Sequence, residues 1–133
     1  MYKRQALRAA KKVAGKTKLI GVSILTSLDK KSLKEIGYNS DINKIVYKQA
    51  ELAKKAKLDA IVCSAHEIQI IRKIFKKEII TPGIRFNSDK NDQKRVMTPS
   101  GAIKAGANSL VIGRPITKGN IKKNIVKLIK HLK

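Results

Sequence analysis

Ile79-Ile80-Thr81-Pro82-Gly83-Ile84-Arg85 is the stretch on which the fold turns. Its β-branched opening lacks polar alternation, as expected of a strand buried on both faces of a parallel sheet. Pro82 and Gly83 then impose a sharp turn, and Arg85 projects past the strand end, where its guanidinium invites an anion. Three other runs are built alike: Leu19 to Leu25, Ala60 to Ser64 and Leu110 to Gly113. Each predicts a buried strand.

The segments between the runs have helical period. Ile42, Ile45, Val46, Ala50 and Ala53 share one face while Lys44, Lys48, Lys54 and Lys55 take the other, the pattern of a helix leaning on a sheet. Glu67 to Lys76 repeats it through Ile68, Ile71, Ile74 and Phe75, and the last segment through Ile121, Ile125, Leu128, Ile129 and Leu132. Tyr2 to Val13 also predicts a helix, with Gly15 placed as its stop. Strand followed by helix, four times over, argues a parallel α/β architecture with right-handed crossovers. The pattern alone does not choose between a barrel and an open sheet.

Length narrows the choice. The chain has 133 residues, whereas a closed (β/α)₈ barrel typically takes about 250. A helix placed first, without a strand before it, suggests that Met1 falls in the middle of a larger repeating fold. Hydrophobic residues make up 42% of the chain but aromatics only 4%, so the core is expected to be aliphatic.

The formal net charge is +22, which suggests an anionic partner: nucleic acid, an acidic membrane surface or a phosphorylated small molecule. Of the 31 basic residues only 6 are Arg, and the Lys are spread along the chain, which fits solvated helix faces better than base reading. A nucleic-acid partner is therefore not the leading expectation. A single cysteine, Cys63, excludes an internal disulfide framework and a cysteine zinc cluster. Neither a signal peptide nor a membrane span is legible, so a cytoplasmic protein is expected.

In parallel α/β folds the loops after the strand C-termini build the site. The first run ends in Thr26-Ser27-Leu28-Asp29, hydroxyls that either bond a polar ligand or cap a helix. After Arg85 comes a long polar stretch, Phe86 to Thr98, containing Asp92-Gln93-Lys94-Arg95, which reads as either a mobile lid or a solvated loop. The fourth run ends in Ile112-Gly113-Arg114-Pro115, where Gly allows close backbone approach and Arg adds a fork-shaped donor. Two Arg-bearing strand ends in succession suit the phosphate site that barrels place after their last two strands. There is no GxGxxG motif and no Walker loop, which weakens a dinucleotide or nucleoside triphosphate reading.

Taken in order, Gly21-Val22-Ser23-Ile24-Leu25-Thr26-Ser27, Val62-Cys63-Ser64-Ala65, Thr81-Pro82-Gly83-Ile84-Arg85, Asp92-Gln93-Lys94-Arg95-Val96-Met97-Thr98-Pro99 and Val111-Ile112-Gly113-Arg114-Pro115-Ile116-Thr117 resemble the bacterial-type orotidine 5′-monophosphate decarboxylase family. The resemblance implies that residues 1–133 form one partial domain, the C-terminal half of a TIM (β/α)₈ barrel carrying its strands five to eight. It implies that Thr26 contacts the pyrimidine, Gln93 bridges base and phosphate, and Gly113 and Arg114 hold the phosphate, with Arg85 in the same group. The ligand implied is orotidine or uridine monophosphate, and no cofactor or metal is expected. The family's catalytic Asp-x-Lys-x-x-Asp segment is not found in the sequence. Asp41 and Lys44 precede a helix instead of following a strand, so no catalytic residue is assigned and the chain alone is expected to be inactive.

Two alternatives stay open: a basic protein that binds nucleic acid nonspecifically, and a related barrel enzyme acting on another sugar phosphate. Cys63 is expected to pack as a small hydrophobe, His66 and His131 to cap or lie at the surface, and the lysines of the last helix to form a solvated face. Four strands without closure leave two open sheet edges and the apolar barrel interior partly uncovered, so a homodimer or pairing with a separate N-terminal half is expected.

Overall fold

The computed structural model describes residues 2–86 and 95–132. Four parallel strands lie in sequence order: β1 (Ile20–Val22), β2 (Ala60–Val62), β3 (Glu78–Thr81) and β4 (Ser109–Leu110). Helix α1 (Tyr2–Val13) precedes them, and Gly15 follows it with φ +54°. The first crossover holds α2 (Lys30–Glu35) and α3 (Ile42–Lys55); the second a 3₁₀ turn (Ala65–Glu67) and α4 (Ile68–Arg72); the third α5 (Pro99–Ala105). After β4 come α6 (Arg114–Thr117) and α7 (Ile121–Leu132). Among the described residues no helix is long and apolar enough to cross a membrane.

Every expected strand is present, but three are shorter than their apolar runs and two of the runs are not buried throughout. Ile20, Val22 and Val111 are exposed. The register explains this. Gly21, Ile61 and Ile79 form one cross-strand row, and Val22, Val62, Ile80 and Ser109 form the next. Successive rows point to opposite faces. The first row meets the helices, where Ile61 and Ile79 are buried with Val46, Ala50 and Ala53 of α3 and Ile68 and Ile71 of α4. The second faces away, and there Val62 and Ile80 are half-buried. One face of the sheet is thus roofed by helices and the other is largely bare.

The expected helix over Glu67 to Lys76 is interrupted. It begins as 3₁₀ and ends at Arg72, whose guanidinium turns to the carbonyls of Gly106 (2.8 Å) and Lys77 (2.6 Å) and to the Asn108 side chain. The apolar stripe of α7 keeps its predicted period, yet Ile121, Ile125, Ile129 and Leu132 are each close to half exposed. These side chains are only partly covered within the chain.

The N-terminal rim of the sheet is fastened by Asp59. Its Oδ2 accepts from Lys11 Nζ at 2.5 Å and from the Leu19 amide at 2.8 Å, while Lys77 Nζ stands 3.7 Å from Oδ1. One carboxylate so joins α1, the approach to β1 and the start of β2. The Lys11 hydrogen bond, then the Leu19 amide, hold its pKa down at about 2. An unfolded Asp titrates near ~3.9, so the stabilisation is complete above that pH and disappears as pH falls to about 2. Asp59→Asn is expected to lower the urea midpoint at pH 7, with the gap from wild type closing as the pH falls through that window. A gap unchanged down to pH 2 would refute this role.

Candidate functional site

All four strands run the same way, so their C-terminal ends share one rim. Thr26 follows β1, Arg85 follows β3, and Gly113 and Arg114 follow β4. Adjacent strands stand about 4.8 Å apart, so the ends of β1 and β4 are separated by roughly 14 Å along the sheet. Four of the five sequence-predicted site residues therefore lie at the same end of the sheet. Gln93 lies outside the described residues.

Thr26 is buried, on the turn that leads to α2. That turn is closed by Leu28 donating to the Leu25 carbonyl (3.1 Å) and by Asp29, whose Oδ1 caps α2 through the Ser32 amide (2.9 Å) and hydroxyl (2.8 Å). Capping thus accounts for Asp29. Ser64, wholly buried after β2, caps the 3₁₀ turn through the His66 amide at 3.4 Å.

Beyond β3 the chain turns at Gly83, φ +77°, a conformation that costs a residue with a Cβ about 1–2 kcal/mol. Space is short as well: a Cβ there would lie 3.0 Å from the Arg95 carbonyl oxygen and 3.1 Å from Thr26 Cγ2. The turn lets residues 83–85 receive 95–97. Arg85 donates its amide to Met97 O (3.0 Å), Met97 donates to Gly83 O (3.3 Å), and Ile84 and Met97 form a parallel bridge. Nη1 of Arg85 also donates to Ile84 O at 2.8 Å.

At β4 the chain passes through Gly113, the residue before α6, where a Cβ would meet nothing within 4 Å. Its backbone is open to close approach. Arg114 begins α6, and Asn124 of α7 braces that turn by donating to the carbonyls of Ile116 (3.0 Å) and Lys118 (2.7 Å). Phe86 stacks on His131 of α7 with 5.3 Å between ring centroids, and Lys127 Nζ lies 5.0 Å from the Phe86 centroid.

Sequence reading missed one pair. Glu67, 2% exposed, forms an ion pair with Arg95, whose Nη2 also donates to Leu25 O (2.9 Å) and Ile24 O (3.3 Å). Its sequence signal was slight: an acidic residue just beyond a buried strand. His66 is exposed, with Nε2 3.2 Å from Val96 O. Cys63 is buried as expected, and burial first, with the Glu67 carboxylate second, pushes its thiol up to about 12.

Known proteins match this chain over most of its length. Residues 2–129 match the family described as orotidine 5′-phosphate decarboxylase / HUMPS. The chain is 55% identical over 103 residues to the orotidine 5′-phosphate decarboxylase of Coxiella burnetii, covering 75% of this chain and 44% of that protein. It is 50% identical over 115 residues to the enzyme of that name from Ehrlichia chaffeensis, covering 84% and 50%. The chain spans about half the length of the curated relatives it matches. Among solved structures, orotidine 5′-phosphate decarboxylase from Lactobacillus acidophilus superposes with a TM-score of 0.77 at 26% identity, over 97% of this chain and 58% of that one. An uncharacterized conserved protein from Geobacillus kaustophilus gives 0.75 at 25%, covering 98% and 59%.

Gly83→Ala joins an unfavourable φ to two close contacts at the root of the rim. Urea denaturation is expected to show a loss of about 1–3 kcal/mol. Unchanged stability would mean that the turn is not constrained as described.

Proposed function

Because the chain belongs to the orotidine 5′-phosphate decarboxylase / HUMPS family, we propose that it supplies the nucleotide-gripping half of a barrel converting orotidine monophosphate to uridine monophosphate and carbon dioxide. The observation that carries this is the shared rim. Arg114 and Gly113 stand after β4, Arg85 after the neighbouring β3, and Thr26 after β1 at the far edge. A nucleotide laid along the rim has its phosphate at β4 and β3, within reach of a guanidinium and an open glycine backbone. Its pyrimidine then falls toward Thr26. Gln93, quoted in the same family motif, is assigned to the span between them.

Each group has a separate task. A guanidinium gives a phosphate two parallel charge-assisted hydrogen bonds, which fix orientation as well as charge. Gly113 contributes its backbone amide, because no side chain bars the approach. The buried Thr26 hydroxyl suits a neutral polar edge of the base. No residue here is assigned to the bond-breaking step. Binding energy from a remote phosphate raises the rate of such a step when it is expressed in the transition state.

The carboxylates and lysines that the family resemblance requires at the scissile carboxylate belong, in this proposal, to the strands that complete the barrel. The bare sheet face carrying Ile20 and Val22 and the half-exposed stripe of α7 support such completion by a separate N-terminal half; another copy of the chain would cover the same surfaces without supplying those residues. The setting proposed is the cytoplasm.

The test is calorimetric titration of the 133-residue chain with uridine monophosphate and with uridine. Charge-assisted hydrogen bonds to an anion contribute about 1.5–3 kcal/mol, so Arg114→Ala is expected to weaken nucleotide binding by roughly 10- to 150-fold. Uridine, lacking the phosphate, is expected to bind both proteins alike. Equal affinity of wild type and variant for uridine monophosphate would overturn the assignment.

A further inference from the structure

Residues 95–97 lie at the junction of three strand ends. The Arg95 amide donates to Thr26 O (3.3 Å), Met97 exchanges hydrogen bonds with Gly83 and Arg85, and Val96 O faces His66 Nε2 at 3.2 Å. This short strip therefore touches the turn after β1, the turn after β2 and the turn after β3. One buried side chain adds to these backbone bonds. Arg95, with its side chain 11% exposed, reaches Glu67 with Nη1 and the carbonyls of Ile24 and Leu25 with Nη2.

We propose that Glu67 and Arg95 are the positioning pair of the nucleotide site, a buried ion pair that seats the 95–97 strip and thereby sets where Thr26, Gly83 and Arg85 stand. The inference rests on the function proposed above. Neither residue is assigned a contact with the ligand.

The chemistry of the pair suits this task. A planar guanidinium offers donors in fixed directions, so one side chain reaches a carboxylate oxygen and two backbone carbonyls at once. A lysine ammonium at the same place has no such fork. Glu67 follows β2 by only a few residues, so its carboxylate is held by the frame of the sheet, not by a long loop. Burial pushes the Glu67 carboxyl upward from its ordinary range, while the Arg95 charge pulls it down. A carboxylate in that position holds its partner firmly and is costly to leave alone. Gly83 completes the assembly, because a Cβ at this turn would crowd the Arg95 carbonyl oxygen at 3.0 Å.

The test is amide hydrogen exchange on the 133-residue chain, with uridine monophosphate titrated in parallel, for wild type, Glu67→Gln and Arg95→Lys. Both variants are expected to speed exchange across 24–28, 83–86 and 95–97 by about tenfold or more while α3 and α4 keep wild-type protection. Nucleotide affinity is expected to fall by about tenfold or more in both. Because Arg95→Lys retains the charge, it keeps the proposal testable if Glu67→Gln does not fold. Loss of affinity with unchanged exchange at the strip would make Arg95 a ligand contact and overturn the proposal. Loss of protection throughout α3 and α4 would make the pair a general fold element and overturn it equally. Unchanged exchange and affinity would do the same. If wild type binds no uridine monophosphate yet the strip loosens in both variants, the positioning role stands and the proposed function fails.

Discussion

In a parallel sheet whose strands follow one another in sequence order through right-handed crossovers, every strand ends at the same rim and every return crosses the same face. Both halves of that constraint act in this molecule. The crossovers bring Val46, Ala50, Ile68 and Ile71 over one face and bury the row containing Ile61 and Ile79. The strand ends bring Thr26, Arg85, Gly113 and Arg114 to one edge without any of them being close in sequence. Aliphatic packing supplies most of the stability, at about 1.5–3 kcal/mol for each large side chain fully buried. The polar groups are left to the rims.

The two rims are used differently. At the N-terminal rim charge is tied down: Asp59 holds Lys11 and the Leu19 amide, and Arg72 saturates the carbonyls of Gly106 and Lys77. These contacts join helices to strands and present little for a ligand. At the C-terminal rim the backbone is tied down, while Gly113 keeps its approach open. Parallel barrels divide stability and activity between their ends in the same way.

Much of this was legible in the sequence because it depends on local period. The i, i+3, i+4 spacing through Ile42, Ile45 and Val46 located α3, and the Pro82-Gly83 turn located the end of β3. Strand length was less legible, since hydrogen-bonded pairing requires a neighbour as well as an apolar run. Leu19 to Leu25 is apolar but for Ser23, yet its partner strand spans only Ala60–Val62, and the paired register stops at Val22, with one further bond from the Ser23 amide to Val62 O (3.0 Å). Ile24 is buried beyond the paired strand. That one face would be partly uncovered followed from four strands without closure, but which side chains lie on it did not, because hydrophobicity marks what a side chain avoids, not whether this chain carries its cover. Glu67 and Arg95 are separated by 28 residues and carry no local pattern to connect them.

That separation is also why the pair matters for the site. The chain on either side of residues 87–94 is fixed in two places: Phe86 against His131 and Lys127 of α7, and Arg95 against Glu67 and the end of β1. The first anchor lies on the helix that braces the turn carrying Arg114, the second beside Thr26. Aromatic stacking tolerates small sliding, whereas a guanidinium divided between a carboxylate and two carbonyls does not. The Arg95 side is thus the stiffer of the two, and the position of Thr26 is set by it. A site that must distinguish one nucleotide from another gains more from rigidity at the base than at the phosphate, because the phosphate is common to all of them. In the proposed nucleotide site the buried ion pair lies on the base side of the rim, where geometry discriminates.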